Sequence, residues 1–474
     1  MKIAELSNPV MSSWFSEQGH RLDASPYVAG SLKTKKLLER VSATEPLAAL
    51  TAGHNGGIFN GPMFKRVYLT DPDHSVPFLG TKDMMAADLT TLPRLRKADA
   101  ESSALSYLRL KPGMTLISCS GFNAGRRAYV RPDMGDCWSS QDSLKVEPNP
   151  EKIKSGYLYA FLLSRFGESL VRGSVYGSAV KHIEPHHIAG LPVPRLGADL
   201  EGRIHDLMEE CSQLRAEHQA DLVAATKDFF DSNGLSQLND LRWHQQERDL
   251  GFKVEGLGAE SLRALNFSPR AHDLARQLES VPGESFGTVC TESSLKIGSR
   301  FKRVDVESGN GIRLLGQRQV FWLRPEGRWI SATEAPSNSS LPDETILIAG
   351  RGTLGENEVY GRAVFVTGSW LKNAYSQDFV RVSSGDREIP GAYLFAFFRS
   401  VVAFRLLRSM SYGGKQQGFL PSRLQSLHIP LAPSVDRNRI AETVRNAYKK
   451  RDRADVLEDK ALALLTTAIE EAAG

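Results

Sequence analysis

Two stretches of the chain place apolar residues at intervals of three and four for far longer than an ordinary helix needs. The first runs through Leu200, Ile204, Leu207, Cys211, Leu214, His218, Leu222, Ala225 and Phe229, and the second through Ile440, Val444, Ala447, Arg451, Ala454, Leu457, Ala461, Leu465 and Ala468. This spacing keeps one stripe apolar over many turns and predicts a coiled-coil seam. At 1.5 Å per residue each helix is roughly 50 to 60 Å long. Two such stripes in one chain bury each other most simply, so an antiparallel pair is expected. His218 and Arg451 are polar at seam positions. Either they fix the register or they sit exposed at the edge of the pair, and edge exposure is the expectation.

Before each long helix the pattern is mixed. Phe64 to Leu89 reads as short strands and turns, punctuated by Asp71-Pro72 and Pro77. Met114 to Cys119 is a compact β-prone run ending at Gly121, and Thr345 to Gly350 is its partner, so each predicts a buried strand that runs into a loop. Gly156 to Phe166 has Tyr157, Phe161 and Leu162 at helical spacing, with Gly167 just beyond the last turn. Leu191-Pro192-Val193-Pro194 and Ile429-Pro430 then lead into the two long helices.

These parallels are an internal repeat. Phe64-Lys65-Arg66-Val67 matches Phe301-Lys302-Arg303-Val304 at an offset of 237, and Val76 to Gly80 matches Ile312 to Gly316 at 236. Thr115-Leu116-Ile117 aligns with Thr345-Ile346-Leu347 at 230, and Ser140-Gln141-Asp142 returns to 236 against Ser376-Gln377-Asp378. A six-residue deletion accounts for both values. A unit this long is domain-sized, unlike the 20 to 50 residues of a solenoid repeat. The expected organisation is a mixed α/β (α+β) chain of two similar globular bodies, 1–197 and 234–433, joined by two long antiparallel coiled-coil helices, 198–233 and 434–474. The bodies differ most between Arg318 and Leu341 and between Ala124 and Gly135.

Composition narrows the function classes. A charged share of 24% and a hydrophobic share of 41% describe a soluble globular chain. Cys119, Cys137, Cys211 and Cys290 have no CxxC spacing, so buried thiols in a reducing cytoplasm are expected. The first residues show no secretory signal. Ala392 to Leu407 is too short to span a bilayer and contains Arg399 and Arg405, so it reads as a buried helix, with no membrane partner. The net charge of +4 is uneven: residues 199–231 hold nine acids against three basic residues, residues 434–474 balance at eight each, and the rest carries +10. Positive bodies fit a polyanionic partner.

Catalytic patterns do not emerge. There is no GxxxxGKS/T phosphate loop, and Asn149-Pro150 is followed by Glu151 instead of the second proline and aromatic that amino-methyltransferases use. Pro132-Asp133 with Asp142 and Lys145 has one spacer too many for a metal-dependent nuclease, and Glu458-Asp459-Lys460 lies on the coiled coil. His182, Glu184, His186 and His187 lack metal-ligand spacing and read as a polar turn. Gly53 to Gly57 reads as a loop. A non-catalytic reader whose enzyme is a partner is the expectation.

In this order, and twice, the marks Arg21-Leu22-Asp23-Ala24, Phe64-Lys65-Arg66, Val76 to Leu79, Gly156 to Phe161 and Leu191 to Pro194 make the chain resemble the specificity subunit of type I restriction-modification systems. The resemblance covers nearly the whole chain. It implies two target recognition domains that read the halves of a split double-stranded DNA target, with the helices pairing antiparallel. It further implies partnership with two DNA adenine methyltransferase subunits and, through them, ATP-driven restriction subunits, so that S-adenosylmethionine, ATP and Mg belong to the partners and no cofactor or metal to this chain. Candidate phosphate anchors are Lys65, Arg66, Lys302 and Arg303, the alternative being a solvated strand edge. Arg126, Arg127, Arg318 and Arg351 lie in or beside the variable loops as candidate base or backbone contacts. Tyr176 to Lys181 and Tyr412, Lys415, Gln416 and Gln417 form a second matched loop, with glutamines suited to adenine. Structural turns are the competing account of each. A stand-alone duplicated DNA-recognition protein of another phage-defence or regulatory complex is the alternative function; an enzyme with an unrecognised site and a protein scaffold are more distant ones.

Overall fold

The computed structural model describes all residues except 1–9, 18–19, 21–24, 29, 178–180, 256, 258, 292–293, 299, 337–338 and 387. The Arg21 to Ala24 mark therefore lies outside the described residues. The chain divides into two compact units, one comprising 1–86, 92–216 and 453–474 and the other 87–91 and 217–452. Each unit thus takes a globular body together with part of both long helices.

Within unit 1 a four-stranded sheet is ordered Ile58–Phe59, Ser143–Val146, Thr115–Ser118, Arg127–Tyr129. A three-stranded sheet places Ser75–Leu79 between Arg94–Arg96 and Trp138–Ser139, the last pair parallel. Unit 2 repeats both. Its four strands are Lys296–Ile297, Phe379–Val382, Thr345–Ala349 and Ala363–Val366, and its three-stranded sheet centres on Ile312–Leu315. In each unit a short strand also closes the body just before the long helix: Thr44–Pro46 pairs with Pro192–Pro194, and Gly283–Ser285 with His428–Pro430. Tyr157 Oη donates to Pro194 O at 2.5 Å and Tyr393 Oη to Pro430 O at 2.9 Å, fixing the same junction twice.

The pairing corrects the sequence register. Leu116 faces Lys145 and Leu347 faces Arg381, so the central strands correspond at an offset of 231, not 230. Ser118 N donates to Arg126 O and Ala349 N to Arg362 O, which restores 236 after the loop. The five residues lost before the second central strand are therefore regained in the loop 350–362. Arg126 corresponds to Arg362, and Arg351 belongs to the longer loop.

The two expected apolar helices are each broken in two. Gly156 to Phe166 is divided by Ser164 between Ser155–Leu163 and Arg165–Gly173, and Ala392 to Leu407 by Ser400 between Gly391–Phe398 and Val401–Ser409. Ser164 Oγ accepts from Gly167 N at 3.3 Å and Ser400 Oγ from Ala403 N at 3.0 Å, each satisfying an orphan donor of the second helix. Gly167 does not end a helix. It lies inside the second one, where a Cβ would stand 2.2 Å from Phe161 O, so the tight corner requires glycine. Among the described residues no helix is long and apolar enough to cross a membrane. All four cysteines are buried thiols that form no disulfide.

The long helices span Ala198–Ser232 and Ser434–Ala473. In unit 1 Ile204 and Met208 share a core with Ala461, Leu465 and Ile469, while Cys211 meets Ala454 and Leu457. In unit 2 Asp228 pairs with Arg439, and Asp221 with Lys450. Both sets run antiparallel. The edge-exposure expectation for the polar seam residues is wrong, since His218 is 6% and Arg451 5% exposed. His218 Nδ1 lies 2.8 Å from Ala447 O, and Arg451 lies over Trp370 and Tyr448 with Nη2 donating to Thr367 O at 2.9 Å. In unit 1 Arg215 is also buried, with Nη1 2.7 Å from Glu458 and Nη2 3.1 Å from Asp455.

Candidate nucleic-acid interface

In unit 1 the framework arginine is held by residues some 75 positions further along the chain. Arg66 Nη2 donates to Gln141 Oε1 at 2.7 Å and reaches Asp142 at 3.4 Å, and its guanidinium lies 5.3 Å from the Phe78 ring centre. Asp142 also accepts from Ser120 Oγ, and its backbone oxygen from Cys119 N at 2.8 Å. Gly121 N then donates to Lys181 O at 3.0 Å. Hydrogen bonds thereby bring together Arg66, the turn at 140–142, the loop after the central strand and the stretch around Lys181. Lys65 and Lys181 are exposed, and Arg126 and Tyr176 are half-buried. Tyr176 sits beside the rings of His187 at 4.7 Å and His182 at 6.1 Å. The expected polar turn at His186-His187 is a short helix, Pro185–Ala189, in which His187 Nδ1 accepts from Glu184 N. That bond uses the lone pair that a metal would need.

Unit 2 repeats the frame. Arg303 Nη2 donates to Gln377 Oε1 at 2.6 Å, Gly350 N to Asp378 O at 2.9 Å, and Gln417 N to Gly352 O at 2.8 Å. Ser140 N to Leu79 O and Ser376 N to Leu315 O complete the match. Here a hairpin of Ser411–Tyr412 and Gly418–Phe419 abuts the loop bearing Arg351. Gln317 brackets Arg351, donating from Nε2 to its carbonyl and accepting its N–H at Oε1. Lys302, Arg303, Arg318, Tyr412, Lys415 and Gln416 are exposed, and Arg351 is half-buried.

Two candidate contacts are corrected. Arg127 is 9% exposed and donates to Gly125 O and Leu163 O, with Glu168 at 3.6 Å, so its guanidinium serves the interior, where burial lowers its pKa. Gln417 is 4% exposed, its Oε1 accepting from Arg263 Nη1 and its Nε2 donating to Gly414 O. Both amide and guanidinium shape loops and present nothing to a groove.

The lysine of the rejected nuclease spacing is a buried side chain beneath the 140–142 turn. Lys145 is 1% exposed and donates to Ser140 O at 2.8 Å and Ser143 O at 2.9 Å. Burial pushes its pKa down to about 7, against the opposing pull of Cys119 and Asp142, and burial likewise pushes the Cys119 thiol up to about 12. Arg381 takes the equivalent strand position in unit 2. Among the described residues no group of three or more His, Cys, Asp or Glu is placed to hold a metal ion.

No protein-family model matches the chain, and no curated protein matches it. Among solved structures, the type I restriction-modification system S subunit from M. genitalium is similar at 10% identity and TM-score 0.37, over 91% of this chain and 95% of that one. The HsdS subunit from Thermoanaerobacter tengcongensis is similar at 14% identity and TM-score 0.27, over 90% of this chain and 96% of that one.

Proposed function

We propose that the chain is a DNA-reading subunit in which each unit contacts one half of a split duplex target, and that it positions adenine methyltransferase subunits and, with them, restriction subunits. In this reading the catalytic chemistry, with S-adenosylmethionine, ATP and Mg, belongs to those partners. The observation that carries it is the doubled frame: Arg66 on Gln141 and Arg303 on Gln377 hold one geometry, while the loops beyond them differ in length and in exposed side chains. A constant frame with divergent cationic and amide loops suits two different base sequences on one polyanion. The stand-alone reader of another complex uses the same interface without a methyltransferase.

Arg351→Ala is expected to weaken binding about 10- to 100-fold through one half-site only, the size of one good base contact. Arg126→Ala should act through the other half. Equal losses at both halves, measured with duplexes substituted in one half at a time, would contradict the assignment. Lys65→Ala and Lys302→Ala should each lower the steepness of the salt dependence by about one ion without changing base preference. Affinity purification followed by methylome sequencing, with and without the gene, separates the two functions. Failure to bind any duplex even at low salt would refute both.

A further inference from the structure

Four exposed or half-buried candidates of unit 2, Arg351, Tyr412, Lys415 and Gln416, lie on two loops, 350–362 and 411–418, which other side chains join. Arg408, in the last turn of Val401–Ser409, is 5% exposed and gives its donors to a single loop. Nε donates to Tyr360 O at 3.2 Å, Nη1 to Leu354 O at 2.7 Å, and Nη2 to Gly355 O at 2.9 Å and Glu358 O at 3.4 Å. The Phe404 ring lies against the guanidinium at 4.2 Å. A planar fork of fixed donors bound to four carbonyls is a template around which the loop closes. Tyr360, fully buried, carries the tie onward: its hydroxyl donates to Gly418 O at 2.9 Å and lies 3.0 Å from Ser411 Oγ, and its ring stacks on Phe419 at 4.7 Å. Arg263 fastens the same hairpin as well, donating from Nη1 to Gly413 O at 3.1 Å and to Gln417 Oε1 at 2.5 Å.

Unit 1 is built differently at the corresponding place. Arg172 stands at the same offset of 236 as Arg408, but its side chain is 62% exposed and pairs with Glu168 on its own helix.

We infer that Arg408 and Tyr360 are positioning residues for base discrimination, preforming the reading face of unit 2 so that its half-site is read more stringently than that of unit 1. The inference rests on the DNA-reading proposal above. A face whose loops cannot relax rejects a wrong base because its polar groups are left unpaired, whereas an adaptable loop repairs part of the loss.

The test uses the full chain, its target selected from a random duplex library, and duplexes carrying single-base changes in either half. The half weakened by Arg351→Ala is assigned to unit 2. In the unaltered protein, single-base changes in that half are expected to cost more affinity than those in the other. Tyr360→Phe, which keeps the ring and removes the hydroxyl, should reduce discrimination in that half about tenfold while leaving the other half and low-salt binding of non-cognate duplex unchanged. Arg408→Lys should do the same, with faster amide exchange in both loops. Equal penalties in the two halves of the unaltered protein, undiminished discrimination in Tyr360→Phe, or equal loss at both halves would overturn the inference while DNA reading stands. If the unaltered chain selects no duplex, DNA reading falls and this inference with it.

Discussion

Replacing Arg215 with alanine is expected to lower the unfolding free energy by about 3 to 5 kcal/mol, the cost of stranding buried charge without its partner. Arg215 and Glu458 are each about 5% exposed, and Asp455 17%. Burial opposes the Arg215 charge, but Glu458 and Asp455 hold its pKa well above the usual arginine value. Truncation leaves a carboxylate that must then be protonated or hydrated within the helix pair. The control is as informative as the deletion: Arg215→Leu with Asp455→Asn and Glu458→Leu removes all the charges and should come within about 1 kcal/mol of the original protein, or exceed it. Urea unfolding followed at unit 1 tests both, and a triple variant as damaged as Arg215→Ala would show that the triad is a net stabiliser.

Lys145 is expected to make the stability of unit 1 rise with pH where most proteins are flat. Its native pKa of about 7 lies below the ordinary lysine value. Above pH 7 the native side chain has lost a proton that the unfolded chain still holds, so proton binding favours unfolding less as pH increases. One proton contributes up to about 1.4 kcal/mol per pH unit, so about 2 kcal/mol is expected between pH 7 and 9. Below pH 7 both states are protonated and the burial penalty is felt in full. Lys145→Met should abolish the slope, and Lys145→Arg should abolish it too because arginine does not titrate there. A slope unchanged in Lys145→Met would assign it to another group.

Much of this architecture was legible in the residues, and what was missed has physical causes. The 236-residue offset, the long helices and the matched strands come from apolar spacing and repeated turns. The one-residue error in register arose because Thr115–Ser118 and Thr345–Ala349 are buried along their whole length, so no alternation marks which residue faces which sheet surface. The broken helices had a signal in Ser164 and Ser400, which share the 236 offset and are good N-caps, but their apolar surroundings masked it. Arg215 could be counted only as a charge, since its partners stand 240 and 243 residues away. For the interface, types were readable and burial was not. Arg126 and Arg127 are neighbours in sequence, yet Arg127 opens a strand that is buried along its whole length while Arg126 stands half-buried in the loop before it.

The division of the long helices also sets an order of assembly. Unit 1 takes its core residues Ala461, Leu465, Ile469 and Ala473 from the stretch 453–474, although the rest of it precedes residue 217. During synthesis its globular part leaves the ribosome some 230 residues before the helix that completes it, whereas all of unit 2 has been translated by residue 452. The first body made is therefore the last to be finished, its first long helix waiting for the apolar residues that cover it.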